Sequence, residues 1–173
     1  ERAPQAADLP EEEALALLAR RYFRSHAPAT LEDFVWWSGL TVTEARRGIA
    51  ALGAELLRES FDGREYLLHE TYATCATAPV QTHLLPPFDE YLIAYRDRAA
   101  VLASEHRSRA FNAYGVFYPV VLHDGRVVAR WSRRGSEVDV EPFAREKQPA
   151  ARLLRSAAER WRLFREGQVP ART

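Results

Sequence analysis

The chain has 173 residues, 47% hydrophobic and 28% charged, enough to bury a core in one compact unit or two small ones. No apolar run approaches the roughly 18 residues a helical membrane span needs, and no basic-then-apolar leader opens the chain. The net charge of zero hides a split: Glu1–Glu70 carries 8 Arg against 13 Asp/Glu (−5), and Thr71–Thr173 carries 16 Arg and Lys against 11 Asp/Glu (+5).

A first helix is expected from near Pro10, whose missing N–H suits a helix start. Glu11, Glu12 and Glu13 complement the positive end of its dipole, and Arg20, Arg21 and Arg24 the negative end. Leu15, Leu18, Tyr22 and Phe23 form its apolar stripe. The stretch from Ala27 to Leu68 then reads as a helix-turn-helix followed by a two-stranded wing. Thr30 with Asp33, and Thr41 with Glu44, are two capping boxes in which a hydroxyl and a carboxylate serve each other's backbone amides. Gly39 lies between the two helices, where a tight turn favours a residue without Cβ. The second helix carries the adjacent Trp36 and Trp37, of which one is expected inside and one over a neighbouring element, with base stacking as a second use. The third places Val42, Ala45, Ile49 and Leu52 on one face and Thr43, Arg46, Arg47 and Ala50 on the other. Those outward residues either meet a DNA major groove or form a solvated face with a Glu44–Arg47 pair. Gly53 ends the helix, and Phe61-Asp62-Gly63 joins Leu56–Ser60 to Arg64–Leu68 as a hairpin.

Glu70–Ala78 reads as a linker. Val80–Leu85 is strand-like and is stopped by Pro86-Pro87. The following FDEYLIAYRDRAAVL sets Phe88, Tyr91, Leu92 and Tyr95 on one helical face, and Ser104–Arg109 is basic and expected to be exposed. Tyr114–Leu122 and Arg126–Arg133 are strands around His123-Asp124-Gly125, with Pro119 marking an edge strand or a bulge. Arg134-Gly135-Ser136 is a further turn into the alternating Glu137–Glu141. A last helix is expected from Phe143 to Arg165 with a Leu154, Ala157, Trp161 and Phe164 stripe, ended by Gly167 and Pro170. The fold class is therefore α+β: a winged helix-turn-helix over residues 1–70, then a small antiparallel β-rich domain with a C-terminal helix over 71–173.

Catalytic patterns are missing. The histidines at 26, 69, 83, 106 and 123 lack zinc-ligand spacing, and neither a phosphate loop nor a nucleophile elbow occurs, so no metal or cofactor is expected. Asp89, Glu90 and Asp97 read as caps or Arg partners rather than an acid/base pair. Cys75, the lone cysteine, forms no internal disulfide, and a reducing, cytoplasmic setting is the default. The chain has no Met and reads as a piece of a longer protein, or as one with an unseen leader. The acidic first part argues against its binding DNA alone, since phosphate neutralisation supplies most non-specific affinity. Of the 24 cations only Lys147 is not Arg. That bias fits bidentate phosphate contacts, or the codon usage of a GC-rich genome.

Four pieces carry a family resemblance: ATLEDFVWWSGLTVTEARRGIAAL, LLPPFDEYLIAYRDR, GVFYPVVLHDGRVVARWSRR and the strand into VEPF. Together they resemble the C-terminal half of the AlkZ-like winged-helix DNA glycosylases over roughly residues 10–165. The resemblance implies tandem winged helices, a small barrel-like domain, binding to damaged double-stranded DNA, and metal-free hydrolysis of the N-glycosidic bond of alkylated or cross-linked purines. It implies a Gln-x-Gln or Gln-x-Asp catalytic motif. Here Gln5, Gln81, Gln148 and Gln168 are followed two positions on by Ala7, His83, Ala150 and Pro170, so no catalytic residue transfers. The expectation is a DNA-holding portion with the chemistry upstream. Arg96, Arg98, Arg107, Arg109, Arg133 and Arg134, with Thr43, Arg46 and Arg47, are the candidate DNA contacts. A non-catalytic DNA-binding regulator and a protein-interaction module are the other readings.

Overall fold

The computed structural model describes residues 9–74, 79–135 and 137–167 and shows a mixed α+β chain in two compact units. The first comprises Glu1–Ala76 with Ala94–Arg96, and the second Thr77–Ile93 with Asp97–Thr173. Cys75, Ser136 and Pro170 lie outside the described residues, so the readings made on them have no structural counterpart here.

In the first unit, α1 (Glu11–His26), α2 (Leu31–Ser38) and α3 (Val42–Leu52) precede a hairpin of β1 (Leu56–Phe61) and β2 (Arg64–His69). Both capping boxes form. The Asp33 amide donates to Thr30 Oγ1 at 3.1 Å while Asp33 Oδ2 accepts from the Thr30 amide at 3.0 Å. The Glu44 amide donates to Thr41 Oγ1 at 3.2 Å, and Glu44 Oε2 accepts from the Thr41 amide at 2.7 Å. The hairpin turns on Asp62 and Gly63, both at positive φ (53° and 73°), the two-residue turn whose twist matches that of its strands. A bridge between Ala29 and Leu67 ties the α1–α2 connection to β2.

The core is aromatic. Tyr22, Phe23 and Phe34 are fully buried, with ring centroids 5.1 to 5.5 Å apart. Trp37 packs on Tyr22 at 5.0 Å, while Trp36 is 55% exposed. Val42, expected on the inner face of α3, is exposed at the helix's first position. Gly48 takes the inner position instead, where α3 meets the backbone of α1 at Leu15. Ala94–Arg96 joins this unit: Tyr95 Oη donates to His26 O at 2.8 Å, and the Arg96 amide to Asp33 Oδ1 at 2.8 Å.

The Glu44 cap is sensitive to acid. Its bond to the Thr41 hydroxyl, with the Thr41 amide, holds its pKa below the ordinary 4.5. A lowered carboxylate stabilises the fold above its unfolded pKa, and that contribution disappears as pH falls through the lowered value. The gap in urea midpoint between the protein and Thr41→Ala should therefore narrow from pH 7 to pH 3. A gap of constant width would show that Glu44 adds nothing to the cap.

The second unit is an antiparallel sheet in the order β3 (Thr82–Leu85), β4 (Val120–His123), β5 (Arg126–Arg134) and β6 (Glu137–Pro142). It is open, with β3 and β6 at its edges, where the family resemblance implied a barrel-like domain. One face packs Val121, Val128 and Trp131 against Ala157 and Trp161 of α6 (Ala151–Arg165). The other packs Val120, Leu122 and Val127 against Leu92, Leu102, Phe117 and Phe143. Alternation along β4 sends successive residues to opposite faces, while on β5 the irregularity opposite Val121 and Leu122 puts Val127 on one face and Val128, Ala129 and Trp131 on the other. Both faces are covered, which explains the unbroken apolar runs.

Pro119 does not mark an edge. It precedes β4, an inner strand, and the bulge lies between Val121 and Leu122. The FDEYLIAYRDRAAVL stretch keeps only one helical turn, α4 (Glu90–Ile93). Asp89 Oδ1 accepts from the Tyr91 amide and Asp97 Oδ1 from the Ala99 amide, local turns that compete with helix. The final helix starts at Ala151 rather than Phe143, because Pro149 disfavours helix before it and Phe143 is buried, its amide bonded to Val128 O. Ser104–His106 forms a 3-10 turn and Arg107–Ala110 a short helix, α5. His106 and Ala110 are buried there, so this basic stretch is not wholly exposed. No helix among the described residues is long and apolar enough to cross a membrane.

Candidate nucleic-acid interface

The nine candidate residues divide by what their side chains touch. On α3, Thr43 and Arg46 are exposed. Arg47 reaches α1 instead: its Nη1 lies 2.7 Å from Glu11 Oε1 and its Nε 2.9 Å from Glu12 Oε1. These carboxylates, Glu12 first, raise its pKa above the arginine norm. Arg47 is thus held between α3 and α1, while its charge also acts on Glu44, the pair the sequence suggested.

The second unit's arginines show the same division. Arg98 Nε donates to Leu92 O at 2.5 Å, and its guanidinium lies 5.4 and 5.1 Å from the Phe111 and Phe117 ring centres. It is half-buried and acts in packing. Arg109 is paired to Glu141 at 2.7 Å, donates to Pro142 O, and covers the Phe143 ring at 4.6 Å. Arg107 is exposed at the start of α5, its guanidinium 5.5 Å from the Phe111 ring centre. Arg96, which belongs to the first unit, is exposed.

Arg133 and Arg134 end β5, both exposed, with Arg134 Nε 3.7 Å from Asp139. Successive strand residues face opposite ways, so the two present charge to both sides of the sheet's end. Arg133 borders a shallow concavity with Gly135, Trp161, Arg162, Arg165 and Glu166. Arg162 is held by Glu159 and Glu166, at 2.6 and 2.8 Å, which raise its pKa well above the norm. Arg165 lies over Trp161 at 5.7 Å. The sequence reading did not single out Arg162 and Arg165. Their signal was the spacing that puts them beside Trp161 on α6.

Among the described residues, no group of three or more His, Cys, Asp or Glu could hold a metal ion. Gln81 bonds His83, and Gln148 donates to Val128 O and Glu146 O, while Gln5 and Gln168 lie outside the described residues. His83 has its pKa lowered by burial and then by Arg160, so it favours the neutral ring.

Comparison with known proteins places this arrangement. Residues 1–164 match the model of the family described as DNA glycosylase AlkZ-like. The chain is 34% identical over 173 residues to the interstrand DNA cross-link repair glycosylase of Streptomyces sahachiroi, an alignment covering 95% of this chain and 47% of that protein. The structure of Streptomyces sahachiroi DNA glycosylase AlkZ superposes with a TM-score of 0.81 at 29% identity, over 98% of this chain and 48% of the other. The chain thus spans about half the length of the relatives it matches.

Proposed function

The chain belongs to the AlkZ-like DNA glycosylase family, and from that premise we propose that it is the portion that holds double-stranded DNA in a repair glycosylase acting on alkylated or cross-linked purines in the cytoplasm. The observation that carries this reading is the family match across almost the whole chain. The order of α1, α2, α3 and the β1–β2 hairpin supports a winged helix, with α2–α3 as its helix-turn-helix and the hairpin as its wing. Thr43 and Arg46 are the residues on α3 that would reach a groove. The first part of the chain carries an excess of acid, so phosphate attraction is assigned to the second unit. Arg107, Arg133 and Arg134 supply it from exposed positions, and Arg96 adds charge from the first unit. Arg98, Arg109 and Arg47 act by holding neighbouring elements in place. Hydrolysis of the glycosidic bond is assigned outside these 173 residues, since no Gln-x-Gln or Gln-x-Asp occurs within them.

The test is the salt dependence of duplex affinity with Arg107, Arg133 and Arg134 replaced together by Ala. Each phosphate contact contributes about 0.9 to the slope of log affinity against log salt. The triple variant should flatten that slope by about 2 to 3 while keeping its fold by circular dichroism. An unchanged slope would remove these residues from the interface.

A further inference from the structure

We propose that the concavity between the end of β5 and the last turns of α6 holds a phosphate group of a DNA strand, gripped by Arg133 from the sheet and Arg165 from the helix. The proposal rests on the DNA-holding reading above and adds to it a defined site, with Arg165 as a further contact and Trp161 as its wall.

The fold brings the two arginines to one hollow. At the end of β5, Trp131 and Arg133 lie opposite Val140 and Val138 of β6 and so share a face. That face is the one α6 covers, since Trp131, Val138, Val140 and Trp161 pack in one cluster. The Trp131 and Trp161 rings meet edge to face at 5.1 Å. One turn beyond Trp161, Arg165 sets its guanidinium 5.7 Å from the indole centre. Arg133, Trp161 and Arg165 thus line one concavity of about 380 Å³, at the small end of the range for ligand sites. Gly135 leaves the hollow open on its side: a Cβ there would meet nothing within 4 Å.

Charge selects the occupant. Glu166, which also lines the hollow, has both oxygens on Arg162 Nη1 at 2.8 Å, and Glu159 takes the rest of that guanidinium. Arg133 and Arg165 have no carboxylate partner among the described residues. Three arginines against two glutamates leave the neighbourhood net positive. That excess is larger than the roughly half negative charge at the C-terminal end of a helix. Amides of Glu166 and Gly167 also occupy the Arg162 and Phe164 carbonyls there. Planar guanidinium forks suit the oxygens of a phosphate. A free nucleotide offers the same group, but the open rim lets an esterified chain run on past the site, which favours a strand.

The test is the salt slope of duplex affinity in a variant combining Arg133→Ala with Arg165→Ala, its fold checked by circular dichroism. Two arginines on one phosphate should flatten the slope by about 0.9, the share of a single contact; arginines on two separate phosphates would give about 1.8. Adding duplex should change the indole fluorescence of the unmodified chain, and Trp161→Phe should remove most of that change. An Arg165 that only covers Trp161 would give a lower thermal midpoint in Arg165→Ala and an unchanged slope in the double variant. That result would overturn the site and leave the DNA-holding reading standing. A loss of about 1.8, or a fluorescence change undiminished in Trp161→Phe, would do the same. A fluorescence change produced by adenosine monophosphate and not by duplex would assign the hollow to a free nucleotide and overturn the strand. Failure of the unmodified chain to bind duplex at low salt would overturn both readings.

Discussion

Replacing Phe34 with Ala should destabilise the first unit by about 3 to 5 kcal/mol, the range for removing a fully buried aromatic side chain. Phe34 is 0% exposed, with its ring 5.1 Å from Tyr22 and 5.5 Å from Phe23. The cavity left behind has little to collapse into it. Tyr22 is held by its hydroxyl on Ala94 O at 3.3 Å and by the stacked His26 ring at 4.8 Å. Ordinary domains have only about 5 to 15 kcal/mol of total stability, so much of this unit's margin would be lost. Trp37, 5.0 Å from Tyr22, reports the change through its fluorescence in a urea titration. A loss of unfolding free energy below about 1 kcal/mol would show that this aromatic cluster is not the core that holds the three helices.

Gly48→Ala should lower stability by about 1 to 3 kcal/mol, against the local preference of a helix for Ala. On an exposed helix the same change gains up to about 1 kcal/mol. Here a Cβ would stand 2.7 Å from Leu15 O and 3.1 Å from Leu15 C, both backbone atoms that move only with α1. Separation of α1 from α3 would also lengthen the Arg47 bonds to Glu11 and Glu12. The thermal midpoint of Gly48→Ala checks the sign: a rise would mean that the helices do not approach as closely as the structure shows.

The contrast between Gly48 and Val42 shows what a sequence can and cannot convey. The starts of α2 and α3 were legible because capping boxes are local: the Thr30–Asp33 and Thr41–Glu44 pairs need only their own first turns. The Asp62-Gly63 hairpin and the β4–β5 pair were legible for the same reason. Which helical face is buried depends on where a neighbouring helix crosses it, and periodicity alone placed Val42 inside and passed over Gly48. Ala94–Arg96 returns to the first unit through two backbone-directed bonds that leave no periodic trace. The helical pattern of FDEYLIAYRDRAAVL lost to aspartates that bond their own backbone.

The candidate site was legible as composition and less so as geometry. The excess of cations after Thr71 is a count, and a count does not separate an arginine that meets solvent from one that covers a ring. Arg98 and Arg109 spend their planar heads on Phe117 and Phe143, a use that the apolar stem and flat guanidinium make available. Arg107, Arg133 and Arg134 differ from them only in what the fold places nearby.

The most direct measurement is the affinity of this chain for an undamaged duplex between 50 and 200 mM salt, conditions over which phosphate contacts show themselves as a slope. The account predicts binding that weakens linearly on logarithmic axes, with a slope of about −3 to −4 for three or four phosphate contacts. Absence of binding at the lowest salt, or an affinity indifferent to salt, would contradict the assignment of this chain as the DNA-holding portion.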